Sequence, residues 1–128
     1  EQKEEKQEGE GKGYIFQSTG KKYVVQQIMK YMEENYREKI SLEQIAANMY
    51  LSSFYIAKIF KSETGDTPIN YLIRLRMEKA KEILEISPEE PIKEVAAAVG
   101  YSDAYHFSKL FKKHYGISPL YYKKDSFS

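Results

Sequence analysis

A chain of 128 residues, 41% hydrophobic and 30% charged, holds one compact domain or two very small ones and leaves little room for a large catalytic cleft. Cysteine is absent, which excludes a disulfide framework, a thiolate metal site and a thiol nucleophile. Net charge is only +1, no apolar run approaches the roughly 20 residues of a membrane span, and no signal-peptide pattern opens the chain, so a cytoplasmic protein that avoids the membrane is expected.

Residues 1–22 mix charge and glycine with few apolar side chains, too few to offset the entropy of ordering, and read as a flexible linker or tail. From Tyr23 the pattern changes: Val24, Val25, Ile28, Met29, Met32 and Tyr36 form one stripe at helical spacing, predicting a helix near 23–37. Ser41-Leu42-Glu43-Gln44 is a capping box that opens a helix near 42–49. A helix near 53–64 ends where Gly65 can adopt a left-handed C-cap. Thr67-Pro68 then sets a hydroxyl before a proline at the first helical position, opening a long helix near 68–86. Its stripe of Leu72, Leu75, Met77, Ala80, Ile83 and Leu84 is broken by neither glycine nor proline. Pro91 opens a helix near 91–99, Gly116 closes one near 104–115, and Ser118-Pro119 opens the last, near 119–124, leaving 125–128 as a tail. No stretch alternates with period two, so the fold class is all-α, with about seven helices.

The chain repeats itself. LEQIAANM (42–49) matches IKEVAAAV (92–99) at an offset of 50, and FYIAKIFKSETGDTPINY (54–71) matches YHFSKLFKKHYGISPLYY (105–122) at an offset of 51. The one-residue slip falls between Met49 and Ser52, where a turn accepts an insertion and a helix does not. Each copy is a short helix, a turn and a longer helix. Ala46 or Ala96 is the small residue that lets two helices cross closely, Ile56 or Phe107 fills the angle, and Ser52 or Asp103 stands at the N-cap of the second helix. This is a helix-turn-helix pattern, present twice. The domain reading is a first helix-turn-helix subdomain at 23–66, a linker helix at 67–86 and a second subdomain at 87–124.

At these residues, over about 23–124, the chain resembles the AraC/XylS family of transcription regulators, most specifically in VAAAVGYSDAYHFSKLFKKHYGISPLYY. Within the family it is most similar to the output domain of two-component response regulators. The resemblance implies two subdomains joined by a long helix, each placing its second helix in a major groove of double-stranded DNA. It further implies RNA polymerase as a partner of an activator, and an N-terminal sensor or receiver region whose tether would end in residues 1–22. Tyr50 departs from the pattern. It fills the turn position taken by Gly100 in the second copy, where positive φ costs tyrosine more than glycine.

A recognition helix reads bases through the N-terminal part of its exposed face. In the first copy Ile56, Ile59 and Phe60 phase inward, leaving Ser53, Phe54, Ala57, Lys58 and Lys61 outward. In the second, Phe107, Leu110 and Phe111 phase inward, leaving Ala104, Tyr105, Ser108, Lys109 and Lys112 outward. The family's base-reading positions fall on Phe54, Ala57 and Lys58 and on Ala104, Tyr105, Ser108 and Lys109. Lysine can donate to guanine, Ser108 can donate or accept, and Phe54 or Ala57 can meet a thymine methyl. With no Arg, Asn or Gln there, phosphate positioning and apolar contact should outweigh bidentate readout.

Each assignment has a plainer alternative. The lysines are also what a solvated surface carries, and Phe54 is also what a core uses. Tyr55 and His106 align with each other and fit edge packing better than base reading. Arg74 and Arg76 could meet phosphate or pair with Glu78 or Glu82 at helical spacing. Charge is segregated, with five lysines against one acid in 103–124 and six acids against three lysines in 78–94. Charge alone does not choose between a basic DNA face with an acidic back and two solvated faces. An enzyme is not expected: there is no catalytic triad, no phosphate-binding glycine loop and no metal-ligand or cofactor pattern, and His106 and His114 have no cysteine or acid pair beside them. A helical protein–protein adaptor that reuses the fold remains the alternative to a DNA-binding regulator.

Overall fold

The computed structural model describes residues 10–127, and the side chains of 20–123. Seven helices account for most of the described residues: α1 Glu10–Asn35, α2 Leu42–Asn48, α3 Ser53–Thr64, α4 Pro68–Ile86, α5 Ile92–Ala98, α6 Ala104–Tyr115 and α7 Pro119–Phe127. Of the segment read as a linker, residues 1–9 lie outside the described residues, whereas α1 already runs from Glu10. Propagation explains the longer helix: once Val25, Ile28 and Met32 are buried, each further residue adds a hydrogen bond without a new nucleation cost. At the other end α7 continues to Phe127, three residues beyond the expected boundary at 124.

Local chemistry sets the helix ends. Ser41 and Gln44 close the capping box on α2 reciprocally, Gln44 N–H donating to Ser41 Oγ at 3.1 Å and Ser41 N–H to Gln44 Oε1 at 2.9 Å. Ser52 Oγ accepts from Tyr55 N at 3.1 Å to start α3, and Asp103 Oδ1 accepts from Tyr105 N and His106 N at 3.0 and 3.2 Å to start α6. Gly65 and Gly116 end those helices in the left-handed conformation, both at φ 81°. Pro68 and Pro119 open α4 and α7, whereas Pro91 stands one place outside α5, as its N-cap.

The chain divides into two compact units. One holds the chain up to Met32 and then Ser41–Pro68; the other holds Glu33–Ile40 and the chain from Ile69 onward. The long helix α4 therefore belongs to the second unit from its second residue. In the first unit the buried apolar side chains are Val25, Ile28 and Met32 of α1, Ile45 and Ala46 of α2, and Ile56, Ile59 and Phe60 of α3. In the second, Met77, Ala80 and Leu84 of α4 share one core with Val95, Ala96, Val99, Tyr101, Phe107 and Phe111, and Tyr36 packs against its edge.

Candidate nucleic-acid interface

In each unit the two helices of the repeat pack together, α2 on α3 and α5 on α6. The turns between them are the same hydrogen-bonded device. In the first, Tyr50 N donates to Ala47 O at 3.2 Å and Leu51 N to Ala46 O at 3.0 Å. In the second, Gly100 N donates to Ala97 O at 3.1 Å and Tyr101 N to Ala96 O at 2.9 Å. This is the double closure of a Schellman motif, which needs its first residue past the cap in the left-handed region. Tyr50 obeys at φ 57° and Gly100 at φ 99°. The expected strain at Tyr50 is therefore real, while the shape of its turn is unchanged. The extra residue of the second copy is the exposed Ser102, which follows the closed turn and precedes the Asp103 cap.

With the turns alike, α3 and α6 present equivalent faces. On α3, Phe54 is 78% exposed, Lys58 and Lys61 are exposed, and Ser53 and Ala57 are half-buried. On α6, Tyr105 is 72% exposed, Lys109 and Lys112 are exposed, and Ser108 and Ala104 are half-buried, Ala104 against the core of its unit. Phe54, which a core could have used, thus faces solvent. Lys109 Nζ lies over the Tyr105 ring, 5.2 Å from its centroid, so these two side chains form one cationic and aromatic surface a turn apart. The inward phasing holds for Ile56, Ile59, Phe60, Phe107 and Phe111, while Leu110 is half-buried at the core's edge. His106 sets its ring edge-on to Tyr101 at 5.6 Å, a packing role. Lys112, Lys113 and His114 occupy the last turn of α6, where cations complement the helix dipole.

The acids lie around other groups. Burial first, then Glu78, Glu85 and Glu82, raise the pKa of Tyr115. Burial and a hydrogen bond to Glu85 push Tyr122 up to about 12. Arg76 takes neither of the roles read for it. It is 8% exposed, donates from Nε to Tyr36 O at 3.0 Å and from Nη2 to Glu38 O at 2.8 Å, and lies 5.2 Å from the Tyr101 ring centroid. It caps the carbonyls just past α1, and sequence spacing could not announce a partner about forty positions away. Among the described residues no cluster of His, Asp or Glu could hold a metal ion, and no helix is long and apolar enough to cross a membrane.

The comparisons with known proteins agree with this geometry. A family model described as a helix-turn-helix domain matches residues 45–125. An HTH-type transcriptional regulator of Escherichia coli K12, YdiP, is 40% identical over 112 residues, which are 88% of this chain and 35% of that protein. The MmsAB operon regulatory protein of Pseudomonas aeruginosa is 39% identical over 94 residues, 73% of this chain and 30% of its own length. The chain thus spans about a third of the length of these curated relatives. Among solved structures, the C-terminal domain of AraT, a response regulator from Geobacillus stearothermophilus, is 35% identical with a TM-score of 0.77, covering 80% of this chain and 84% of that one. The DNA-binding domain of AdpA, solved in complex with a target DNA, is 27% identical with a TM-score of 0.75, covering 80% of this chain and 91% of that one.

Proposed function

Because the chain belongs to the AraC/XylS family of helix-turn-helix transcription regulators, we propose that it binds specific double-stranded DNA by placing α3 and α6 in successive major grooves. The observation that carries this reading is the duplication itself: two identically closed turns, each followed by a capped twelve-residue helix with an outward aromatic and two outward lysines. Phe54 and Tyr105, at equivalent positions, would meet base edges or thymine methyls, with Ala57 and Ser108 one turn further along. Lys58 and Lys109 would reach guanine or phosphate, and Lys61 and Lys112 phosphate. Ser53 and Ala104 would lie where the helix N-termini approach the DNA backbone. The helix α4, 19 residues and about 28 Å long, would set the phase of the two contacts.

The same reading takes the chain as the output part of a longer cytoplasmic regulator that works with RNA polymerase and an N-terminal receiver or sensor region. The response-regulator domain among its structural neighbours and the greater length of its relatives support that assignment. Selection from a randomised duplex pool, followed by a gel-shift titration at several salt concentrations, tests the DNA reading. About four to eight phosphate contacts predict a slope of log K against log salt of roughly −4 to −7. Absence of any selected sequence, or a slope near zero, would instead favour a protein–protein adaptor.

A further inference from the structure

Tyr50 is the one non-glycine with positive φ among the described residues, and its side chain is 94% exposed. These two facts are at odds. A left-handed conformation disfavours every side chain with a Cβ, and such strain persists when something compensates. Packing does not, because a ring so exposed rests on almost nothing. The turn's two hydrogen bonds account for the positive φ but not for the tyrosine, because they use only backbone groups. Glycine would close it equally well, as Gly100 does in the second unit.

The two positions differ in what surrounds them. At Gly100 a Cβ would stand 2.7 Å from Tyr36 O and 3.0 Å from the Arg76 guanidinium, so the second turn has no room for a side chain. The first turn faces solvent. It is also placed at the end of the motif that matters for binding. Tyr50 lies two residues before the Ser52 cap and three before Ser53, a reach of at most about 11 Å along the chain. The first unit has no cation between Ser41 and Ala57, so the first turn of α3, ahead of Lys58, has no charged donor of its own for the DNA backbone.

We propose that Tyr50 is a further DNA-positioning residue of the first unit, its phenol hydroxyl donating to a phosphate oxygen on the strand beside the groove that receives α3. Tyrosine suits this role because it is a stiff side chain with one terminal donor, held by a hydrogen-bonded turn at fixed distance from the recognition helix. Being neutral, it adds a directed hydrogen bond without displacing a counterion.

The inference rests on the proposed function, and the test separates the two. The 128-residue chain is first used to select a duplex; if none is selected, the proposed function itself fails. With a selected duplex in hand, Tyr50→Phe and Tyr50→Gly are compared with the parent by gel shift and thermal melting. Both variants should bind about five-fold more weakly, the equivalent of one net hydrogen bond. Tyr50→Gly should also melt at a higher temperature, so its weaker binding is not a folding defect. The salt slope of Tyr50→Phe should equal that of the parent, whereas Lys58→Ala should lower it by about 1. Parent-like affinity of Tyr50→Phe overturns the proposal, whether or not Tyr50→Gly is weakened, because the hydroxyl would then carry nothing.

Discussion

Replacing Gly100 by alanine separates two reasons a glycine can be required. The first is backbone conformation: at φ 99° an L side chain is disfavoured by about 1–2 kcal/mol. The lower entropy of alanine in the unfolded chain offsets roughly 0.4–1 kcal/mol of that. The second is space. The new Cβ would sit 2.7 Å from Tyr36 O, a backbone atom that also accepts from Arg76 Nε at 3.0 Å, and 3.0 Å from Arg76 Cζ and Nη2. Relief means displacing the carbonyl and loosening the guanidinium, a loss of about 1–3 kcal/mol for a charged donor left poorly paired in a buried place. Together Gly100→Ala should cost about 2–4 kcal/mol, a large fraction of the roughly 5–15 kcal/mol typical of a domain. Urea unfolding followed by circular dichroism reads the difference. The reference is Tyr50→Gly, where the space term is absent and strain relief exceeds the entropy cost by roughly 0.5–1 kcal/mol, so that variant should be more stable than the parent. A Gly100→Ala variant within about 1 kcal/mol of the parent would refute the close-approach argument.

Arg76→Met should lose about 2–4 kcal/mol by stripping two carbonyls of a charged donor, and Arg76→Lys should recover less than half of that because an ammonium lacks the fork; chemical denaturation decides both. Ile56→Ala and Phe107→Ala, each at a fully buried site, should cost roughly 2–5 kcal/mol, and unchanged melting would contradict their place in the cores. Lys58→Ala and Lys109→Ala should each weaken specific DNA binding by about 1–3 kcal/mol with unaltered circular dichroism; parent-like binding by both variants at moderate salt removes them from the interface. An alanine inserted after Lys81 rotates the downstream residues by about 100°, separating Leu84 from its core partners Met77 and Ala80. The second unit should then lose its cooperative melt, and a normally folded insertion variant would exclude α4 from that core.

What could be read from the sequence is what depends on neighbours within one or two turns. The capping box at Ser41, the N-caps Ser52 and Asp103, the C-caps Gly65 and Gly116 and the inward phase of Ile56 and Phe107 are all relations of short range, and the structure repeats them. The duplication was legible for the same reason, since two copies share their local grammar. What escaped was set over distance. Arg76 on α4 finds its acceptors 40 and 38 residues earlier, and no spacing rule links them. The reach of α1 back to Glu10 escaped because its glycines argue locally against a helix that burial further along sustains. The allotment of α4 to the second unit escaped because a stripe of apolar residues tells which face is buried and not what covers it.

These long-range relations make the two copies unequal in a way their alignment hides. In the second, the turn is enclosed: Gly100 meets Tyr36 O and Arg76, Arg76 lies over Tyr101, and the Tyr101 ring meets His106 on the second residue past the start of α6. Gly100, Arg76 and Tyr101 are committed to one another there, so a side chain at the Gly100 position has no room to reach anything outside the protein. In the first, the corresponding turn carries a tyrosine exposed to solvent on the same hydrogen-bonded frame. A substitution at that position alters the surface without reaching a core. Equivalent places in a duplicated motif are thus divided between two roles. The copy built around α4 and the end of α1 packs its turn from within, and the other leaves its turn exposed to solvent, where the proposed phosphate contact would form.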